Sequence, residues 1–97
     1  MVSIPEEYVK DLKKILEWCL EAFVPDITFD HYVECLLEHF YERNLIEGKV
    51  QVGENELYYV NECISSATNY AKECGVEKDL IWEIYDWVVA EREKRKI

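Results

Sequence analysis

The sequence predicts an all-α protein, a compact antiparallel four-helix bundle formed as a single helical domain over residues 1–97. Three observations predict it: four amphipathic segments with apolar residues three and four apart, clear breaks between those segments, and connections short enough to favour antiparallel neighbours. An apolar fraction of 49%, with three tryptophans, seven tyrosines and three phenylalanines, supplies a core and excludes disorder.

The first helix opens at Ser3, Pro5 and Glu6, which read as a capping box with proline in the first turn. Tyr8, Leu12, Ile15, Leu16, Cys19, Leu20 and Phe23 form its apolar stripe, and Pro25 ends it. The second helix starts at Thr28, buries Phe29, Val33, Leu36, Leu37 and Phe40, and frays between Asn44 and Gly48. In the third, from about Asn55 to Cys74, the residues Leu57, Val60, Ile64, Ala67, Ala71 and Cys74 follow at intervals of four and three, the seam spacing of packed helices. Gly75 then occupies the position where a helix C-terminus takes a left-handed residue. The fourth helix spans roughly Glu77 to Lys96.

Residues 49–60, KVQVGENELYYV, support two readings. As a hairpin around Gly-Glu-Asn-Glu they would be the wing of a winged helix-turn-helix, and the chain a DNA-binding transcriptional regulator. The unbroken seam from Leu57 into Ile64 favours a helix from Asn55 instead, with a short extended segment around 49–52.

Charge bounds the partners. The net charge is −10, and from Glu17 to Glu62 eleven acids face only two bases, Arg43 and Lys49. Duplex nucleic acid requires a cationic footprint, whereas the basic residues of the closing EREKRKI complement the negative end of their own helix. Direct nucleic-acid binding is therefore not expected. No apolar run reaches the roughly 20 residues of a membrane span, and MVSIPEEYVKDLKK lacks a signal peptide's apolar stretch, so the expected location is the cytoplasm.

A single glutamine, three glycines and a charged fraction of 33% resemble the composition of heat-adapted proteins. Cys19, Cys35, Cys63 and Cys74 contain no C-x-x-C pair. Cys63 and Cys74 would sit about 16 Å apart along one helix, too far to join. In an ordinary cytosol all four are small core residues, and in a hyperthermophile an inter-helix disulfide becomes plausible, its pairing left open.

Asp30, Glu34, Glu38 and Glu42 follow at strict four-residue intervals with no base among them. Like charges at that spacing repel by a few tenths of a kcal/mol per pair, so a helix built for stability alone would interleave lysines. The row reads either as a solvated face or as a ridge that meets a basic partner. Beside it, His31, Cys35 and His39 stand one turn apart; two of them could share a metal, but three along one helix drift and span about 12 Å, and residues flanking the core are the favoured reading.

The fourth helix carries too much apolar surface for one side of a bundle: its apolar residues from Leu80 to Val89 cover roughly 220° of arc. With Ile81, Ile84 and Val88 facing the core, Trp82, Tyr85 and Val89 are left to form an aromatic patch of the kind found at interfaces. The third helix shows a face of Asn61, Ser65, Ser66, Thr68 and Asn69, which is small, polar and uncharged.

Glu83 and Asp86 form an E-x-x-D pair, able to present two carboxylates to a divalent cation. The closing GVEKDLIWEIYDWVVAEREKRKI is loosely similar to the last segment of all-helical nucleotide pyrophosphohydrolases of the MazG type. That resemblance would imply a metal-dependent hydrolase, but those enzymes place the motif one helix earlier, after an E-E-x-x-E cluster that this chain lacks. No nucleophile with a base is visible either.

The expected protein is thus a non-catalytic interaction module without a cofactor: a small accessory subunit, adaptor or inhibitor. It would bind a protein with a basic surface through Asp30, Glu34, Glu38, Glu42, Trp82, Tyr85 and Val89, and a homodimer is one way to cover the patch.

Overall fold

The computed structural model describes residues 2–22, 31–38, 40 and 50–95. Along them run β1 (Val2–Ile4), α1 (Glu6–Ala22), α2 (residues 31–38), β2 (Val50–Val52), α3 (Glu54–Ala67), α4 (Ala71–Cys74) and α5 (Lys78–Arg95). The architecture is the expected all-α bundle, with five helices rather than four among the described residues and a two-stranded sheet as an addition.

The helices form where the apolar spacing places them. On α1, Tyr8, Leu12, Ile15, Leu16 and Cys19 are buried in one stripe, joined by Val9. α2 contributes Val33, Leu36 and Leu37, with Phe40 beyond them, to the same core. Leu57, Val60, Ile64 and Ala67 of α3 meet Ile81, Ile84 and Val88 of α5, and α3 packs against both α5 and α1. Each large apolar side chain enclosed in this way contributes roughly 1.5–3 kcal/mol. No described helix is long and apolar enough to cross a membrane.

Three local expectations are corrected. Ser3 does not cap α1: it lies in β1, paired with Gln51 of β2, while Val2 pairs with Val52 and Ile4 with Val50 in antiparallel register. The apolar–polar–apolar alternation of Val-Ser-Ile matches that of Val-Gln-Val, and Val2, Ile4 and Val52 are buried. A two-stranded ribbon is marginal alone, so this buried face is what holds it. The described residues 50–60 therefore form no hairpin; the extended segment pairs with the N-terminal strand, and helix begins at Glu54.

The third helix is also not continuous. Thr68 turns its hydroxyl back onto the Ser65 carbonyl at 2.7 Å, and Asn69 and Tyr70 bond the carbonyls of Ser66 and Ala67, so the chain tightens and breaks before α4. The seam survives the break, since Cys74 is still buried. Gly75 ends α4 at φ 72°, a left-handed conformation that costs glycine least.

Finally, the small polar face of α3 is not wholly outward. Ser65 and Asn69 are exposed, but Thr68 and Asn61 are buried; Asn61, 8% exposed, leaves its Oδ1 without a partner among the described residues.

A candidate interaction surface

Ile81, Ile84 and Val88 enter the core as expected, which turns the next positions around α5 outward. Trp82 is 43% exposed and meets Tyr85 edge-on at 5.4 Å between ring centroids. Tyr85 and Val89 are half-buried, and all three lie on one flank of the helix. The other two tryptophans are half-buried: Trp87 packs edge-on to Tyr8 at 6.0 Å and Trp18 tilts against Tyr70 at 5.4 Å.

A second aromatic row crosses the bundle and was not legible beforehand. Tyr32 of α2 stacks on Tyr59 of α3 at 4.2 Å and 14°, Tyr59 meets Tyr58 edge-on at 5.6 Å, and the Arg92 guanidinium of α5 lies 5.0 Å over the Tyr58 ring. Adjacent helical positions differ by about 100°, so Tyr58 and Tyr59 point toward different neighbours. Tyr58 is exposed to the same extent as Trp82, and a partly exposed cation–π contact of this kind is worth roughly 0.5–1 kcal/mol. The row thus ties three helices together and leaves an amphipathic ring on the outside.

Glu34 and Glu38 stand exposed on α2, one turn apart, and neither forms an ion pair among the described residues. Asp30 and Glu42 lie outside those residues. Two bases near the end of α5 are engaged locally: Lys94 bridges Glu91 at 3.3 Å, and Arg95 bridges both the Glu91 carboxylate and its carbonyl.

His31 and Cys35 do come together, with Nε2 and Sγ 3.7 Å apart on an exposed turn. His39 lies outside the described residues, and among those residues no group of three His, Cys, Asp or Glu side chains converges. Glu83 and Asp86 are both exposed, and Glu83 accepts a 3.2 Å hydrogen bond from the Tyr8 hydroxyl, which joins α5 to α1. Burial, reinforced by that carboxylate, pushes the Tyr8 phenol above its ordinary range. Glu54, in the first turn of α3, is held below the usual carboxylate range by its own backbone N–H.

Of the cysteines, Cys19 of α1 and Cys63 of α3 form a disulfide with a Cα–Cα distance of 5.7 Å. Cys35 and Cys74 are free, one exposed and one buried. The class these features define is a disulfide-linked all-α bundle with exposed aromatic and acidic surfaces. Comparisons with protein-family models, curated proteins and solved structures find no match for the chain.

Proposed function

We propose that the chain is a non-catalytic protein–protein interaction module, an accessory subunit, adaptor or inhibitor, whose partner is a protein with a basic surface. The observation that carries this reading is Trp82: 43% exposed, on a helix whose core positions are already filled by Ile81, Ile84 and Val88. Aromatic side chains left at a surface next to satisfied cores are characteristic of interface anchors. The exposed Glu34 and Glu38 supply charge of one sign, which speeds encounter and sets register with a basic face.

Two substitutions test it. Glu34→Lys with Glu38→Lys keeps a like-charge pair one turn apart, so melting should be unchanged to within a few tenths of a kcal/mol. Capture of the partner from native extract should nevertheless be abolished, and unchanged capture would remove the proposal. Trp82→Ala should lower affinity by roughly thirtyfold or more, as loss of an anchor worth at least about 2 kcal/mol does. Its cost to folding combines the roughly 0.5–1.5 kcal/mol of the edge-to-face pair with burial of the covered part of the ring, and the reading requires the loss of affinity to be the larger effect. Light scattering on the purified chain separates self-association from binding to a different protein.

A further inference from the structure

Of the two free thiols, Cys74 is buried and Cys35 is exposed. Free cysteine is among the most buried residue types, so the exposure of Cys35 beside a histidine is the unusual feature of α2.

The fold fixes where these side chains point. Val33 and Leu36 enter the core, and Tyr32 stacks on Tyr59 of α3 at 4.2 Å, which sets the rotation of α2 about its axis. That rotation turns His31 and Cys35, one turn apart, to the outside, and the His31 ring meets Tyr32 edge-on at 6.2 Å. The result is the 3.7 Å approach of Nε2 to Sγ.

That separation is close to the one a tetrahedral metal ion imposes. Zinc sits about 2.3 Å from a thiolate sulfur and about 2.0–2.1 Å from an imidazole nitrogen, which at the tetrahedral angle puts the two donor atoms about 3.6 Å apart. The donors of α2 thus stand within about 0.2 Å of ligand spacing before any ion binds. Thiolate and imidazole suit zinc, whereas magnesium and calcium take oxygen ligands. Bound through Nε2, the ring keeps its proton on Nδ1, and the thiol releases its proton to solvent.

One chain fills half of such a site. Structural zinc takes four protein ligands, and among the described residues no third His, Cys, Asp or Glu converges on the pair. A second copy related by a two-fold axis brings the same two donors, so the two chains together supply two cysteines and two histidines. Charge makes the association depend on the ion. Glu34 and Glu38 share the exposed face of α2 and the chain carries −10, so metal-free copies repel there while the same field attracts a cation.

We propose that His31 and Cys35 form half of a zinc site, and that one zinc ion joins two copies of the chain through α2. The inference goes beyond the interaction reading, since it requires neither Trp82 nor a basic partner.

Cobalt(II) serves as a coloured probe of the same geometry. Titrated anaerobically into the full chain with its disulfide intact, it should give the visible absorption of a tetrahedral ion and a sulfur-to-cobalt charge-transfer band, saturating at about one ion per two chains. Zinc should bleach both, and light scattering should show the mass doubling with zinc and falling back on chelation. His31→Ala and Cys35→Ser, both at exposed positions, should each weaken binding by roughly a hundredfold or more, because even the outer partners of a metal ligand are worth roughly 10–100-fold. Circular dichroism melts of both variants without metal should match the wild type, which separates lost binding from lost folding. A sulfur band that survives Cys35→Ser, saturation at one ion per chain with the mass unchanged, or no tetrahedral absorption at all overturns the proposal.

Discussion

Reducing the Cys19–Cys63 disulfide should cost the protein a large share of its stability, and chiefly through the unfolded chain. The bond joins α1 to α3 across a sequence separation of 44, and both cysteines are fully buried. Closing a loop of that length removes about 13 cal/mol/K of unfolded-state entropy, or about 4 kcal/mol at 25 °C. Against a total of about 5–15 kcal/mol for a domain, and at about 4–8 °C per kcal/mol, the melting temperature should fall by roughly 15–30 °C. Circular dichroism melts with and without a phosphine reductant measure the shift. Urea titration adds a second readout: the reduced chain exposes more surface on unfolding, so its m-value should rise. Cys35→Ser should leave both quantities unchanged, because Cys35 is free and exposed. A shift under about 5 °C in the wild type, or a mass showing four alkylatable thiols in unfolded, unreduced protein, would refute the reasoning.

Three further outcomes follow from the titratable groups. Iodoacetamide at pH 8 should label the exposed Cys35 and spare Cys74, whose burial raises its thiol to about 11; equal labelling rates in the folded protein would contradict that burial. Tyr8 and Cys74 both have folded values raised above their unfolded ones, so each adds stability that is fully present below its unfolded value. That stability is lost as pH rises, for Cys74 between about 9 and about 11 and for Tyr8 above about 10, so melting temperature should drop through this window. Tyr8→Phe should cost about 0.5–1.5 kcal/mol near neutral pH through the lost bond to Glu83, and should blunt the alkaline drop; an alkaline profile identical to that of the wild type would show that Tyr8 has no part in it.

The helical core was legible because burial follows period. Leu12, Ile15 and Leu16, then Val33, Leu36 and Leu37, then Leu57, Val60 and Ile64, and last Ile81, Ile84 and Val88 are buried at the spacings the sequence displays. What escaped was non-local. Val2-Ser3-Ile4 reads locally as the approach to a helix, and only pairing with a strand nearly fifty residues later reveals it as β1. The break at Thr68 depends on a side chain choosing the Ser65 carbonyl, a competition that apolar spacing does not register. The surface was legible in half: the outward turn of Trp82 followed from the surplus of apolar arc on α5, and the exposure of Glu34 and Glu38 from their spacing. The Tyr32–Tyr59–Tyr58–Arg92 row and the Trp18–Tyr70 pair required three-dimensional neighbours, since each joins residues from separate elements.

The energetics of the two kinds of surface point the same way. The Glu34–Glu38 repulsion costs a few tenths of a kcal/mol, and the exposed part of Trp82 contributes little to folding. Both are small beside the roughly 4 kcal/mol of the disulfide and the burial of the large residues in the core. Folding stability therefore neither requires these surfaces nor is threatened by them. A frame in which α3 is cross-linked to α1 and packed on α5 can hold Trp82 in a fixed position without rearranging to hide it. Binding benefits from such rigidity, because side chains already ordered on the free surface have less conformational freedom left to lose when a partner docks.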